Sequence, residues 1–144
     1  MPITADGRPA GQSIGTGARL NVTVVFTTNE GTTAALRTAG SLAKQLNGRV
    51  TLLAPVAVSW HVPFDQPPVA TEWNRQRLER LARECPADTA VRLHLCRDGW
   101  DALRRLLRPN SLIVLGDGKH WWTREARLAR KLRRLGHQVV VAER

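Results

Sequence analysis

A three-layer α/β/α sandwich on a five-stranded, mainly parallel sheet follows from three features of the sequence. Short β-branched runs alternate with stretches whose apolar residues recur at helical spacing, giving the order β-α-β-α-β-α-β-α-β. The run Arg49–Val58 is almost continuously apolar, which suits a strand covered on both faces better than a hairpin strand with one wet face. A chain of 144 residues fits one domain. A domain of that size buries about 68–70% of its unfolded surface, so neither disulfides nor metals are needed to hold it.

Residues 1–18 mix Pro, Gly, Thr and Ser without the apolar core of a signal peptide. They read as a disordered leader to a domain over 19–144, and the expected address is cytoplasmic. Arg19–Phe26 is the first strand, and Thr27-Thr28-Asn29-Glu30-Gly31 turns it into a helix marked by Ala34, Ala35, Leu36, Ala39, Leu42, Ala43 and Leu46. Asn47-Gly48 should stop that helix, with Gly48 in the left-handed position. Arg49–Val58 follows as a strand that Pro55, lacking an N–H, is expected to end or bulge. A Pro-rich loop over 59–70 leads to a helix capped by Thr71 and ending before Pro86, with Trp73, Leu78 and Leu81 inward. Ala90–Cys96 alternates as a third strand, and Asp98-Gly99 opens a short helix with Trp100, Leu103, Leu106 and Leu107 inward. Ser111–Leu115 is the fourth strand, broken by Gly116-Asp117-Gly118. A helix over Trp122–Leu135 points Ala126, Leu128, Ala129, Leu132 and Leu135 to the core, Gly136 stops it, and His137–Ala142 is the last strand.

The formal net charge is +10 and the pI about 11.4. Lys119–Arg144 holds eight Lys or Arg against Glu125 and Glu143. On the last helix Arg124, Arg127, Arg130, Lys131 and Arg134 share one face, which suits a polyanion or nucleic acid, although a solvated basic face is the ordinary outcome. No apolar stretch reaches the roughly 20 residues of a membrane span. Cys85 and Cys96 lack metal-ligand spacing and read as reduced thiols. The four histidines are scattered, no two carboxylates are spaced for acid–base work, and no nucleophile motif occurs, so an enzyme is not expected. Trp60, Trp121 and Trp122 fall in loops at the carboxyl end of the sheet, where they would stack a base or plug an empty pocket. Ligands of such sheets bind outside the carboxyl ends of the strands, where strand order reverses.

The phrasing VTVVFTTNEGTTAALRTAGSLAKQLNGRVTLLAPV and, later, DGWDALRRLLRPNSLIVLG resembles the universal stress proteins over about Arg19–Ala142. The resemblance implies an adenine nucleotide alpha hydrolase-like sheet of order 3-2-1-4-5, with Thr27–Asn29 facing Gly116–Lys119 across the switch point. It also implies a homodimer, through the apolar edge strand Val139-Val140-Val141. ATP-binding members carry an Asp after the first strand and a G-x-x-G-x9-G-[ST] phosphate loop after the fourth. Here Thr27 takes the Asp position, and Gly116-Asp117-Gly118-Lys119 runs into His120-Trp121-Trp122 without a second glycine group. Backbone cannot approach a pyrophosphate closely where side chains intervene. The expected protein is therefore a non-enzymatic stress-response regulator with a degenerate or remodelled nucleotide site and no cofactor. The alternatives are a polyanion binder acting through the basic helix and an ATP binder with an atypical phosphate loop. Candidate ligand contacts are Thr27, Thr28, Asn29, Gly116, Asp117, Gly118 and Lys119; the competing reading of the glycines is a turn that needs positive φ.

Overall fold

The computed structural model describes residues 20–58, 60, 70–116 and 124–143. In chain order these form β1 (Asn21–Val25), α1 (Asn29–Gln45), β2 (Arg49–Ala57), α2 (Ala70–Arg83), β3 (Thr89–Cys96), α3 (Gly99–Leu106), β4 (Leu112–Gly116), α4 (Arg124–Arg134) and β5 (Gln138–Ala142). The strands make one all-parallel sheet of order β3-β2-β1-β4-β5. Val24 at its centre stands opposite Leu52 on one side and Val114 on the other.

Because strand side chains alternate, the sheet feeds two cores. Val22, Val24, Val50, Leu52, Ala54 and Val114 pack under α1 and α2 with Ala35, Leu36, Ala39, Ala43 and Leu78. Val25, Leu53, Ile113 and Leu115 pack under α3 and α4 with Leu103, Leu107, Ala129 and Leu132. Both cysteines are free and buried, and the Cys85 thiol donates to the Leu36 carbonyl at 3.3 Å.

Several expectations need correction. Pro55 neither ends nor bulges β2: the strand runs on to Ala57, with Pro55 opposite His94 of β3. The Leu53 carbonyl accepts the Phe26 N–H, while Val58 donates to Cys96, so alternate residues of β2 face β1 and β3 in turn. Pro55 shares the parity of Leu53 and lies beyond the end of β1, so its missing N–H falls where no ladder bond was due. At the end of α1 the left-handed residue is Asn47 (φ 52), not Gly48. The Gly48 N–H donates to the Ala43 carbonyl and the Asn47 N–H to Lys44, a Schellman ending. Gly48 is instead needed because a Cβ there would lie 2.5 Å from the Leu20 carbonyl oxygen. Gly136 (φ 96) ends α4 as expected, through its own bond to Arg133 and that of His137 to Leu132.

Helix α2 begins at Ala70, so Thr71 lies within it rather than capping it. Trp73 is not core but 55% exposed. Leu78 sets the buried direction of α2, and five residues away Trp73 stands about 140° around the helix. Leu46 and Leu135, expected inward, are exposed because each follows the last full turn of its helix.

Candidate functional site

The order of strands reverses between β1 and β4, so the carboxyl ends of these two strands define the candidate site. Thr28 leaves β1 in an extended conformation (φ −124, ψ 167) and caps α1, its hydroxyl accepting the Gly31 N–H at 3.0 Å. The hydroxyl of Thr32, wholly buried, accepts the Thr27 N–H at 3.1 Å, and the Thr33 hydroxyl donates to the Asn29 carbonyl at 2.8 Å. The Thr28 hydroxyl and the Asn29 main-chain carbonyl are thus spent on starting the helix. The Thr27 Oγ1 is different: it is buried and finds no hydrogen-bond partner. Glu30 adds a negative charge in the first turn of α1, which suits the helix dipole and repels an incoming anion.

Gly116 closes β4 beside this junction. A Cβ on it would overlap the Cα, carbonyl carbon and oxygen of Gly31, and one on Gly31 would meet the Gly116 Cα at 3.4 Å and the Thr27 Oγ1 at 3.2 Å. The two backbones are in direct contact, which seats the first turn of α1 on the end of β4. Gly116 does not have the positive φ that a turn reading requires, so close approach and not turn geometry explains the residue. Of the expected contacts, Thr27, Thr28, Asn29 and Gly116 come together; Asp117, Gly118 and Lys119 lie outside the described residues. So do Trp121, Trp122, His61 and His120.

Two cation–aromatic arrangements flank this edge of the sheet. The Arg77 guanidinium lies 5.5 Å from the Phe26 ring and 4.9 Å from that of Trp73, and its Nε is buried without a hydrogen-bond partner. Ring faces replace the acceptor that the guanidinium lacks. Trp73 and Arg77, four residues apart on a helix, were a readable pair; nothing in the sequence brought Phe26 to them. Trp60 is 79% exposed and stacks on Arg97 at 5.2 Å, so it does not plug the site. Nearby, burial pushes the Cys96 thiol up, Asp98 adds to the effect, and Arg105 opposes it.

On the far layer Arg124, Arg127, Arg130, Lys131 and Arg134 are all exposed on α4, opposite the buried Ala129 and Leu132. Lys131 turns toward α3, its ammonium 5.1 Å from the Trp100 ring, and Arg133 donates to the Val139 carbonyl at 2.9 Å. Among the described residues, no helix is long and apolar enough to cross a membrane.

Compared with known proteins, the chain matches no protein-family model and no curated protein. Its structure is similar to a universal stress protein solved in complex with cAMP, at 17% identity and TM-score 0.56, covering 85% of this chain and 95% of that one. It is similar also to a universal stress protein from Archaeoglobus fulgidus (12%, TM-score 0.58, 88% and 96% covered). A third is from the universal stress protein family of Burkholderia pseudomallei (20%, TM-score 0.53, 84% and 93% covered). The fold is that of the universal stress proteins, with five parallel strands in the order 3-2-1-4-5 and four helices among the described residues.

Proposed function

We propose that this chain is a non-enzymatic regulatory protein of the universal stress type, with a remodelled nucleotide site. The fold supports the class. The observation that carries the remodelled site is at the end of β1, where neutral Thr27 stands in the position of an acid and the hydroxyls of its neighbours Thr28 and Thr32 are engaged in holding the start of α1. No acid–base pair or activated nucleophile is spelled out in the sequence, so the role is one of binding and not of bond-making. The homodimer belongs to the same reading: β5 is an edge strand, Val139 and Val140 are half-buried, and Val141 is 38% exposed.

Thermal unfolding with and without Mg-ATP, and separately cAMP, tests the site. A ligand of Kd about 10 μM present at about 1 mM stabilises by about 2.7 kcal/mol, and the expected result here is no shift. A shift with Mg-ATP would overturn the remodelled site in favour of a nucleotide binder whose phosphate loop runs through Asp117, Gly118 and Lys119. Cyclic AMP is the second probe because one protein of this fold was solved with it.

A further inference from the structure

A row of cations on a helix is ordinarily a solvated face, and α4 departs from that case in three ways. Its charge is almost all of one sign. In α3, Asp101 pairs with Arg104 at 3.0 Å and Arg105 at 2.8 Å, three and four residues on. Helix α4 carries six cations and one acid, Glu125, and the side chains of Arg124, Arg127 and Arg134 make no ion pair or hydrogen bond among the described residues. Arg127 with Arg130 and Lys131, and Arg134 with Arg130 and Lys131, stand three or four residues apart, where like charges repel one another. An anionic partner would relieve that repulsion.

The second departure is chemical type. Five of the six cations are Arg, whose planar fork takes phosphate oxygens two at a time. The third concerns what the helix has left to offer. Ala129 and Leu132 are buried and Leu128 packs beside them, so α4 keeps no apolar face to sink into a bilayer. A phosphate-lined polymer fits better. From Arg124 to Arg134 the helix spans about 15 Å, a length over which a duplex presents roughly nine phosphate charges.

We infer that the outward face of α4, made by Arg124, Arg127, Arg130, Lys131 and Arg134, docks the phosphate backbone of double-stranded nucleic acid. The test is fluorescence anisotropy of a labelled DNA duplex of about 20 base pairs, titrated with the full chain between about 50 and about 200 mM salt. Engaging three to five phosphates gives a log–log slope of about −3 to −4.5, so affinity falls roughly 60- to 500-fold across that range. The double variant Arg127→Gln/Arg134→Gln flattens the slope by about 2 units, whereas Arg37→Gln/Lys44→Gln on α1 leaves it unchanged. Far-UV circular dichroism establishes that both variants are folded, and Arg124→Gln, flattening the slope by about 1 unit, supplies an independent reading from the first turn. No binding at the lowest salt overturns the proposal, as does a slope indifferent to the α4 substitutions. Capture by phosphatidylserine-containing vesicles without binding to the duplex overturns it too, and would assign the face to a membrane surface.

Discussion

Gly116 and Gly99 each sit at the boundary of an element, yet they answer to different constraints. A side chain on Gly116 runs into the backbone of Gly31, whereas one on Gly99 meets nothing within 4 Å. Gly116→Ala should therefore lose about 2–3 kcal/mol in urea unfolding through overpacking. Gly99→Ala should be neutral or gain about 0.4–1 kcal/mol by restricting the unfolded chain. Equal effects would show that α1 can move off β4 without cost. Cys96 gives a pH test. Its folded thiol holds its proton above the ordinary value of 9.0, mainly because it is buried. Stability from this group is complete below that value and declines as pH rises through the folded one, by at most about 1.4 kcal/mol per pH unit. Urea midpoints above and below pH 9.0 should diverge more in the native chain than in Cys96→Ala. Capping was legible only in part: Thr28 and Asp98 precede helical periodicity and do cap α1 and α3, whereas Thr71, read as a cap, lies inside α2. The role of Gly116 was not, because its constraint comes from Gly31, some eighty positions away in the chain.

At the scale of elements, periodicity located each helix and strand among the described residues, and failures fell at ends and faces. Pro55 misleads only if β2 is taken as paired on both sides throughout; where the neighbouring strand stops is a tertiary fact. Asn47-Gly48 was legible as a stop, but which residue turns left-handed depended on Gly48 having to pass close to Leu20. Asn47→Ala should then cost about 1–2 kcal/mol by forcing a Cβ residue without a polar side chain into the left-handed region, while Asn47→Gly relieves it. Chemical denaturation of the two variants decides the matter, and a stable Asn47→Ala would mean that the Schellman bonds tolerate another backbone path. At the sheet edge, Val141→Lys should convert the proposed dimer to monomer in sedimentation velocity, since a charge blunts strand pairing. A native chain that sediments as a monomer would remove the dimer from the proposed function.

For the whole molecule, a core lies on each face of the sheet while the charge is concentrated, because α4 alone holds six of the 22 Lys and Arg residues. Self-repulsion on that scale destabilises a compact state and is screened by salt. Raising sodium chloride from about 20 to about 300 mM should raise the thermal midpoint, as the screening length drops from roughly 20 to roughly 6 Å. A falling midpoint would mean that attractive pairs such as Arg49–Asp88 outweigh the repulsion. Strand order and layer assignment were readable from the alternation of patterns together with family resemblance. The candidate site was readable only as a location, since the hydroxyl network at the end of β1 depends on which threonine each backbone group meets.

The guanidinium held between Phe26 and Trp73 equips this rim with an optical reporter. Indole emission responds to a cation resting on its face, and Trp73 is open enough on its other side to sense a newcomer. A chain retaining Trp73 while its other four indoles are replaced by phenylalanine would brighten, dim or shift colour as anything entering beside β1 draws Arg77 away. Occupancy of the rim could then be followed by light alone, without labelling the visitor.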